Sequence, residues 1–264
     1  KINMSNLLEQ RFKTYESNTN YVLLNKVPLI IKAKVKNFNK MVENLPKPSY
    51  NIIHIMANTM LYAMKEIQGG IFGFTFNDEI IFVIKNDQNL DSEPWLQNKI
   101  QKIVSQVASL LTRGFDKSLS TLDANLDLLG EAIFDVQVFP IPHIGEICNY
   151  LIWRQLVCYQ QAVQQMAYWN ISKKSGIKTA NKLLFQKSLE EKKIALLEEC
   201  SIELDLYYHA SYLRGISLYR IPTLIKDNLV KDKWTLNFET PSFIQDKDFL
   251  YCILLNNKDV MRVK

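Results

Sequence analysis

The order of strand and helix patterns along the first half, together with helical spacing through most of the second half, predicts an α+β fold. Apolar segments in the first half follow the order strand, helix, strand, strand, helix, strand, which is the split βαβ, or ferredoxin-like, arrangement. Apolar residues make up 47% and charged residues 22% of the 264 residues. These proportions are typical of a globular protein that buries its own core.

The first half contains seven expected elements. They are a short helix over 4–17, a strand within 22–35, a helix over 50–67, strands at 71–74 and 80–84, a helix over 96–115 and a strand over 132–139. The helix over 50–67 is predicted because Ile53, Met56 and Met60 recur at helical spacing. The pair Asn77-Asp78 between two apolar runs is typical of a hairpin turn.

The second half is expected to be mostly helical. The predicted elements are a long helix over 144–169, shorter helices over 179–185 and 189–199, a strand over 215–221, and short segments and turns over 234–263. Pro140 and Pro142 stop the last strand of the first half. The sequence therefore predicts two domains, residues 1–139 and residues 140–264.

Composition excludes several classes of protein. The net charge of +5 permits a nucleic-acid or phosphate partner without requiring one. The four cysteines show no CxxC spacing and the three histidines are scattered, which disfavours a structural zinc site and indicates reduced thiols in a cytoplasmic protein. The longest apolar runs fall far short of a membrane span, so no membrane partner is expected.

Five motifs occur in a fixed order along the chain. Phe74 to Ile80 reads FTFNDEI, and Trp153-Arg154-Gln155 is followed by Cys158 and Tyr168-Trp169. The other three are Pro28 to Met41, Phe134-Asp135, and Tyr212 to Gly215. In order and spacing they resemble the YGQSDE, WRQxxC…FW, PxVVRIDGRGFxKF, FDxR and YRKG motifs of the tRNA-His guanylyltransferase family.

The resemblance implies a polymerase palm for residues 1–139 and a helical, fingers-like domain packed on it for residues 140–264. It implies addition of nucleotides to the 5′ end of a tRNA or other RNA, with GTP or ATP as the nucleoside triphosphate. Two Mg²⁺ ions held by two palm aspartates would organise the phosphates. Asp78 matches one of these aspartates, and Glu79 follows it. The family resemblance also implies that the protein is a homo-oligomer, namely a tetramer.

The other metal-binding aspartate is missing, because Lys34 stands where the family pattern RIDGRGF has Asp. An ammonium group cannot ligate Mg²⁺, which requires oxygen ligands. We therefore hypothesise that a Lys34–Asp78 ion pair replaces the metal. Val35 and Asn37 replace the two glycines of the same motif, and their side chains are expected to crowd the approach of a triphosphate.

Further departures touch the same chemistry. Gln137 replaces the arginine of FDxR, Tyr159 to Ala162 replaces HINN, and Lys192 to Ala195 keeps only the lysine of DKNE. The lost groups are anionic or phosphate-binding in the family. Together these losses favour a site that no longer performs the family reaction.

Several cations are candidates for contact with phosphate. They are Lys32, Lys34, Lys36, Lys40, Lys99, Lys102, Arg154 and Lys193. The first four alternate through a strand and loop, which fits a phosphate patch and an ordinary solvated edge strand equally well. Lys99 and Lys102 are expected to share a helix face with that charge, at positions where the family carries basic residues.

The arginine and the two tryptophans of the long helix receive different interpretations. The guanidinium group of Arg154 suits a phosphate or a carboxylate, because its donors form a planar fork. Trp153 and Trp169 are interpreted as core packing.

Three functions remain open at this point. The first is a catalytically degenerate family member that binds a nucleotide, a tRNA or a protein. The second is an active nucleotidyltransferase with a rebuilt Mg²⁺ site that uses Glu79 or a single ion. The third is an interaction protein that reuses the fold as a scaffold and binds no nucleotide.

Overall fold

The structure of the protein, a computed structural model, describes residues 4–86, 93–121, 132–225 and 229–255. The strands are β1 (Leu29–Val35), β2 (Gly70–Phe76), β3 (Glu79–Ile84), β4 (Phe134–Pro140), β5 (Ile216–Ile225) and β6 (Leu229–Asn237). The helices are α1 (Met4–Ser17), α2 (Phe38–Met41), α3 (Tyr50–Met64), α4 (Ile100–Thr121), α5 (Ile144–Ser175), α6 (Ile177–Leu184), α7 (Leu189–Cys200), α8 (Leu204–Tyr207), α9 (Ala210–Leu213) and α10 (Lys247–Leu254).

The six strands form one sheet in the order β4-β1-β3-β2-β5-β6, and every neighbouring pair is antiparallel. The first four strands in this order are those of the predicted split βαβ arrangement, so the α+β fold class is confirmed. The sheet also takes β5 and β6 from the second half of the chain. The boundary between residues 139 and 140 stays a prediction.

The two faces of the sheet are covered by different helices. Helices α3 and α4 bury one face, where Ile31, Phe82 and Leu218 lie in the core. Helices α5 and α10 cover the other face, where Ile30 and Phe72 are buried. Alternation along β1 therefore places Lys32 and Lys34 on the same face as Ile30 and α5.

Helix α5 connects the sheet to the helical part of the molecule. Its first half packs on the sheet through residues such as Ile147 and Leu151. Its second half packs against α6 to α9 through residues such as Val163 and Met166. This single helix therefore carries side chains into both cores.

The predicted tail is wrong in one respect, because residues 234–263 were expected to hold only short segments and turns. Residues 229–237 form β6, which pairs with β5 along its whole length. Residues 247–254 form α10, which begins at the side-chain cap of Asp246 and buries Leu250, Ile253 and Leu254. The strand carries three charges in a row, Lys231 to Lys233, and the helix is only eight residues long, so neither gives a strong local signal.

Among the described residues, no helix is both long and apolar enough to cross a bilayer.

Candidate functional site

The hairpin between β2 and β3 places two carboxylates side by side. Asn77 occupies the left-handed region with φ 49°, which asparagine tolerates in tight turns. The Thr75 hydroxyl donates to the backbone carbonyl of Glu79 at 2.8 Å, and the Asn77 amide donates to Gln161 of α5 at 3.2 Å. The turn is therefore held in place from both its own strand and the neighbouring helix.

Glu79 is fully buried and forms a bidentate salt bridge with Arg154 of α5. Arg154 Nε donates to Oε1 at 2.8 Å, and Nη2 donates to Oε2 at 2.9 Å. A buried carboxylate is stable only when it is paired in this way, because it has lost its hydration. The guanidinium carbon also lies 5.5 Å from the Phe76 ring centre and 4.6 Å from that of Trp153.

Two lysines of β1 extend this ion pair into a larger charge cluster. Lys34 Nζ lies 3.9 Å from Asp78 Oδ2 and 3.7 Å from Glu79 Oε2, and Lys32 Nζ lies 4.0 Å from Glu79 Oε2. These distances exceed hydrogen-bond length, so both ammonium groups are loosely paired. We call Lys32, Lys34, Asp78, Glu79 and Arg154 the charge cluster. The ion pair hypothesised between Lys34 and Asp78 has this geometry.

The charge cluster does not fit two Mg²⁺ ions. Both carboxylate oxygens of Glu79 are committed to Arg154, and three cations surround two carboxylates. Mg²⁺ needs several oxygen ligands in octahedral geometry and is repelled by nearby ammonium groups. Within the described ranges, no group of three His, Cys, Asp or Glu side chains could hold a metal ion.

The expected crowding of a triphosphate by Val35 does not occur. Val35 is buried in the core on the opposite face of β1, where it packs with Phe38 and the α3 side of the sheet. Alternation along the strand turns its side chain away from Lys34. Asn37 takes the left-handed region with φ 56°, so it preserves the backbone conformation that the family glycine would allow.

The remaining predicted lysines are not all brought together. Lys36 and Lys40 are exposed just beyond β1, at the same end of the sheet as the charge cluster. Lys99 and Lys102 lie at the other end, because Asn98 bonds Asn86, which follows the far end of β3. That strand is about 20 Å long, so these two lysines do not share a face with the cluster.

Lys193 is already paired on the helical side of the molecule. Its ammonium lies 2.9 Å from Asp205 Oδ2 and 3.7 Å from Glu190 Oε2. The hydrogen bond to Asp205 is the main cause that raises the pKa of Lys193. A phosphate at Lys193 would therefore have to compete with these carboxylates.

A cavity of about 530 Å³ opens beside the hairpin turn, between α2, α3, α5 and β5. Its lining is mostly apolar and aromatic, and polar side chains are interspersed. The aromatic residues are Phe38, Phe76, Tyr168, Trp169 and Tyr212, and the amides are Asn39, Asn77, Gln161 and Gln165. Flat aromatic rings beside amide donors and acceptors suit a planar heteroaromatic ligand.

Sequence reasoning missed Lys47, which lines this cavity together with Glu43. Lys47 Nζ donates to the carbonyl of Val42 at 2.6 Å. Partial burial lowers the pKa of Lys47, and the nearby Glu43 opposes that shift. Lys47 stands between Pro46 and Pro48, and no local pattern in the sequence indicates that this segment borders a cavity.

The interpretation of Trp153 as core packing is wrong. The residue is 53% exposed, because it lies on the α5 surface next to the stripe that faces the sheet. Trp169 is half-buried and lines the cavity. Helical spacing alone did not separate the buried Arg154 from its exposed neighbour.

The antiparallel sheet, its covering helices and the charged hairpin beside a cavity define an α+β protein of the polymerase-palm type. Residues 9–142 match the family model described as Thg1, tRNAHis guanylyltransferase. That match covers half of the sequence, and the chain belongs to this family.

Curated relatives and solved structures agree with that assignment. A human protein described as a probable tRNA(His) guanylyltransferase is 20% identical over 225 residues, which cover 83% of this chain and 71% of the relative. The corresponding *Bos taurus* protein is 22% identical over 56% of this chain and 49% of its own length. The chain therefore spans only about half of the bovine relative.

Two solved structures share the fold. A bacterial tRNA(His) guanylyltransferase (Thg1)-like protein in complex with ATP has a TM-score of 0.79 and 23% identity, covering 93% of this chain and 99% of that one. The tRNA(His) guanylyltransferase of *Saccharomyces cerevisiae* has a TM-score of 0.68 and 18% identity, with 88% and 98% coverage. At these identities the likeness shows the fold.

Proposed function

We propose that this protein binds a nucleoside triphosphate, GTP or ATP, and an RNA, but has lost the two-metal nucleotide addition of its family. The charge cluster is the observation that carries the proposal. Lys34 stands where the family has a metal-binding aspartate, and its ammonium lies within 4 Å of both Asp78 and Glu79. In this proposal the ammonium group of Lys34 supplies the positive charge that a metal ion would otherwise supply beside these carboxylates.

The cavity supports nucleotide binding. Its aromatic and amide lining suits a nucleobase, and Asn77 joins it directly to Asp78 of the charge cluster. A base in the cavity would direct its phosphates towards Lys34 or Lys47, whose ammonium groups attract anions. The bacterial relatives whose structures hold ATP or GTP support the same ligand class.

In this arrangement the residues bind and orient a nucleotide without activating it. Arg154 fixes Glu79, while Glu79 and Asp78 hold Lys32 and Lys34 near the hairpin. Lys34 then neutralises the phosphate charge of the nucleotide. Asp78 and Glu79 have no role as catalytic metal ligands in this proposal. Lys36 and Lys40 extend the positive charge towards solvent, where an RNA backbone would contact them.

The experiment that tests the proposal is incorporation of labelled GTP into a 5′-truncated tRNA-His with Mg²⁺ present, using the yeast family enzyme as a positive control. We expect no incorporation by this protein, while the same preparation binds ATP in a calorimetric titration. Incorporation at a rate near that of the yeast enzyme would overturn the loss of activity. Absence of nucleotide binding would instead favour the scaffold function.

One observation favours an active enzyme as the second candidate. The Asp78 side chain is 23% exposed, and its nearest described cation, Lys34, is 3.9 Å away. A single Mg²⁺ ion carried in with the nucleotide would find this carboxylate accessible. Mg²⁺-dependent incorporation that is abolished by Asp78→Asn would support this candidate.

The expected cytoplasmic location and the homotetramer also remain proposals, and light scattering of the purified protein tests the latter.

A further inference from the structure

An exposed aromatic surface lies beside the charge cluster on the α5 face of the sheet. Trp153 is 53% exposed, whereas Trp95 is buried and Trp169 and Trp234 are half-buried. A tryptophan usually buries most of its large ring, because exposing it to water is costly. Trp153 is the most exposed of the four tryptophans.

The indole is held in a fixed orientation. The Tyr150 ring contacts it edge-on, with ring centres 5.7 Å apart, and Tyr150 in turn contacts Phe139 of β4 at the same distance. The Arg154 guanidinium lies 4.6 Å from the indole centre and is itself locked to the buried Glu79. A ring that is already ordered loses little entropy when a ligand stacks on it.

Two cations lie within a few contacts of the same indole. Lys32 Nζ lies 4.0 Å from Glu79 Oε2, which accepts a hydrogen bond from Arg154 Nη2 at 2.9 Å. The Arg154 guanidinium carbon in turn lies 4.6 Å from the centre of the Trp153 ring. The Lys34 side chain is 45% exposed, and the Lys32 side chain is 23% exposed. Across the strand register, Lys32 faces Gln137 and Lys34 faces the exposed Asp135. The partly exposed Asp78 also borders Lys34, at 3.9 Å.

We propose that Trp153 is a stacking platform for an unpaired base of a single-stranded RNA, one of whose phosphates contacts Lys32, whereas Lys34 is left to the nucleotide. Aromatic rings beside lysines are the combination that binds single strands, because every base has a stackable face and every link has a charge. The proposal rests on the RNA-binding part of the proposed function and specifies the residues and the strand state. Trp153 does not line the nucleotide cavity, so the proposal gives the RNA base and the nucleotide different surfaces.

The test is fluorescence anisotropy with a labelled, unstructured 12-nucleotide RNA that carries a 5′ phosphate, compared with the same strand annealed to its complement. We expect the wild-type protein to prefer the single strand. Trp153→Ala should weaken binding at least fivefold, the lower end of the effect of removing one stacked base. Trp153→Phe should retain part of the affinity, because a smaller ring still stacks.

The matched control is Phe185→Ala, which removes another exposed aromatic ring, 71% exposed, on the helical side. It should leave RNA affinity unchanged. Equal affinity of wild type and folded Trp153→Ala would overturn the proposal, as would failure of the wild type to bind either RNA.

Calorimetric titration of ATP separates this proposal from the nucleotide-binding function. Trp153→Ala should bind ATP as the wild type does, because Trp153 does not line the cavity. RNA binding that is indifferent to Trp153, with ATP binding intact, would overturn the stacking platform alone. If the wild type binds RNA but does not bind ATP, the nucleotide-binding function alone is overturned.

Discussion

At the scale of single residues, the charge cluster depends on a carboxylate that the fold has taken fully out of water. Glu79 begins β3 in the interior, and Arg154 reaches it from α5, 75 residues further along the chain. Lys32 and Lys34 approach from the neighbouring strand but remain partly solvated. Arg154 therefore compensates most of the charge of Glu79, and the lysines are available for other anions.

Replacing Arg154 by Met should destabilise the protein by about 3–5 kcal/mol, because it leaves a buried carboxylate without its main partner. Urea unfolding monitored by circular dichroism measures the free energy of unfolding. The control is Lys187→Met, which breaks the exposed pair with Glu191 and should lower the free energy of unfolding far less, because solvent screens that pair. A loss for Arg154→Met no larger than for the control would contradict the dominant role of this pair.

Tyr150 gives a prediction about alkaline pH. Burial, and then the negative charge of Glu79, raise the pKa of Tyr150 to about 12 from its usual value near 10. The unfolded chain therefore releases this proton at lower pH than the folded chain, and stability is lost as the pH rises through that interval. Tyr150→Phe should lose less stability than the wild type between pH 8 and about pH 11.

Urea unfolding at both pH values tests this expectation. Tyr150→Phe keeps the ring that contacts Trp153, so the comparison isolates the hydroxyl group. An identical pH dependence in the two proteins would mean that Tyr150 ionises equally readily in both states.

At the scale of elements, the turn from α9 into β5 needs a glycine. Gly215 has φ 75°, and a Cβ there would lie 2.7 Å from the Phe74 ring and 2.9 Å from the Thr75 carbonyl oxygen. Gly176, between α5 and α6, has φ 86°, but a Cβ added there would have no atom within 4 Å. The two sites therefore share backbone strain and differ in steric contact.

Gly176→Ala should cost about 1–3 kcal/mol from backbone strain alone, because φ 86° with ψ 157° is a conformation nearly restricted to glycine. Gly215→Ala should cost about 1–3 kcal/mol more, because the core beneath β5 must shift to accept the methyl group. Thermal or urea unfolding of both variants gives the difference. Equal losses would show that Phe74 moves aside freely.

The sequence predicted elements where local patterns were strong. The hairpin of β2 and β3 has apolar runs on both sides of Asn77-Asp78, and α3 and α5 have long helical repeats. Strand β6 and helix α10 were missed, because they are stabilised by pairing with β5 and by packing of Leu250 and Leu254 on α5 and the sheet. Such tertiary contacts leave little trace in a short segment.

The candidate site was only partly predictable for the same reason. Motifs placed Lys34, Asp78, Glu79 and Arg154 in one family site, and the structure brings these four together. Nothing in the sequence indicates that Arg154 pairs with Glu79, that Lys47 borders the cavity or that Trp153 is exposed. Each depends on the rotation of a helix or the path of a loop against the sheet.

At the scale of the whole molecule, the fold of a nucleotide-adding family is preserved, while Lys34 of β1 stands beside the hairpin where the family motif has an aspartate. The sheet, α3, α4 and α5 still surround a cavity that adjoins Asp78. Three cations now face two carboxylates where the family resemblance implies metal-binding aspartates. Nucleotide binding should therefore depend on lysines and not on Mg²⁺.

The most direct test is calorimetric titration of ATP and GTP at low salt, with Mg²⁺ and with EDTA, into wild type and Lys34→Asp. We predict that the wild type binds with the same affinity in both buffers, because Lys34 supplies the positive charge. Lys34→Asp should bind nucleotide only with Mg²⁺, because it restores a second carboxylate beside Asp78. Tight wild-type binding that disappears in EDTA would contradict the replacement of the metal by Lys34.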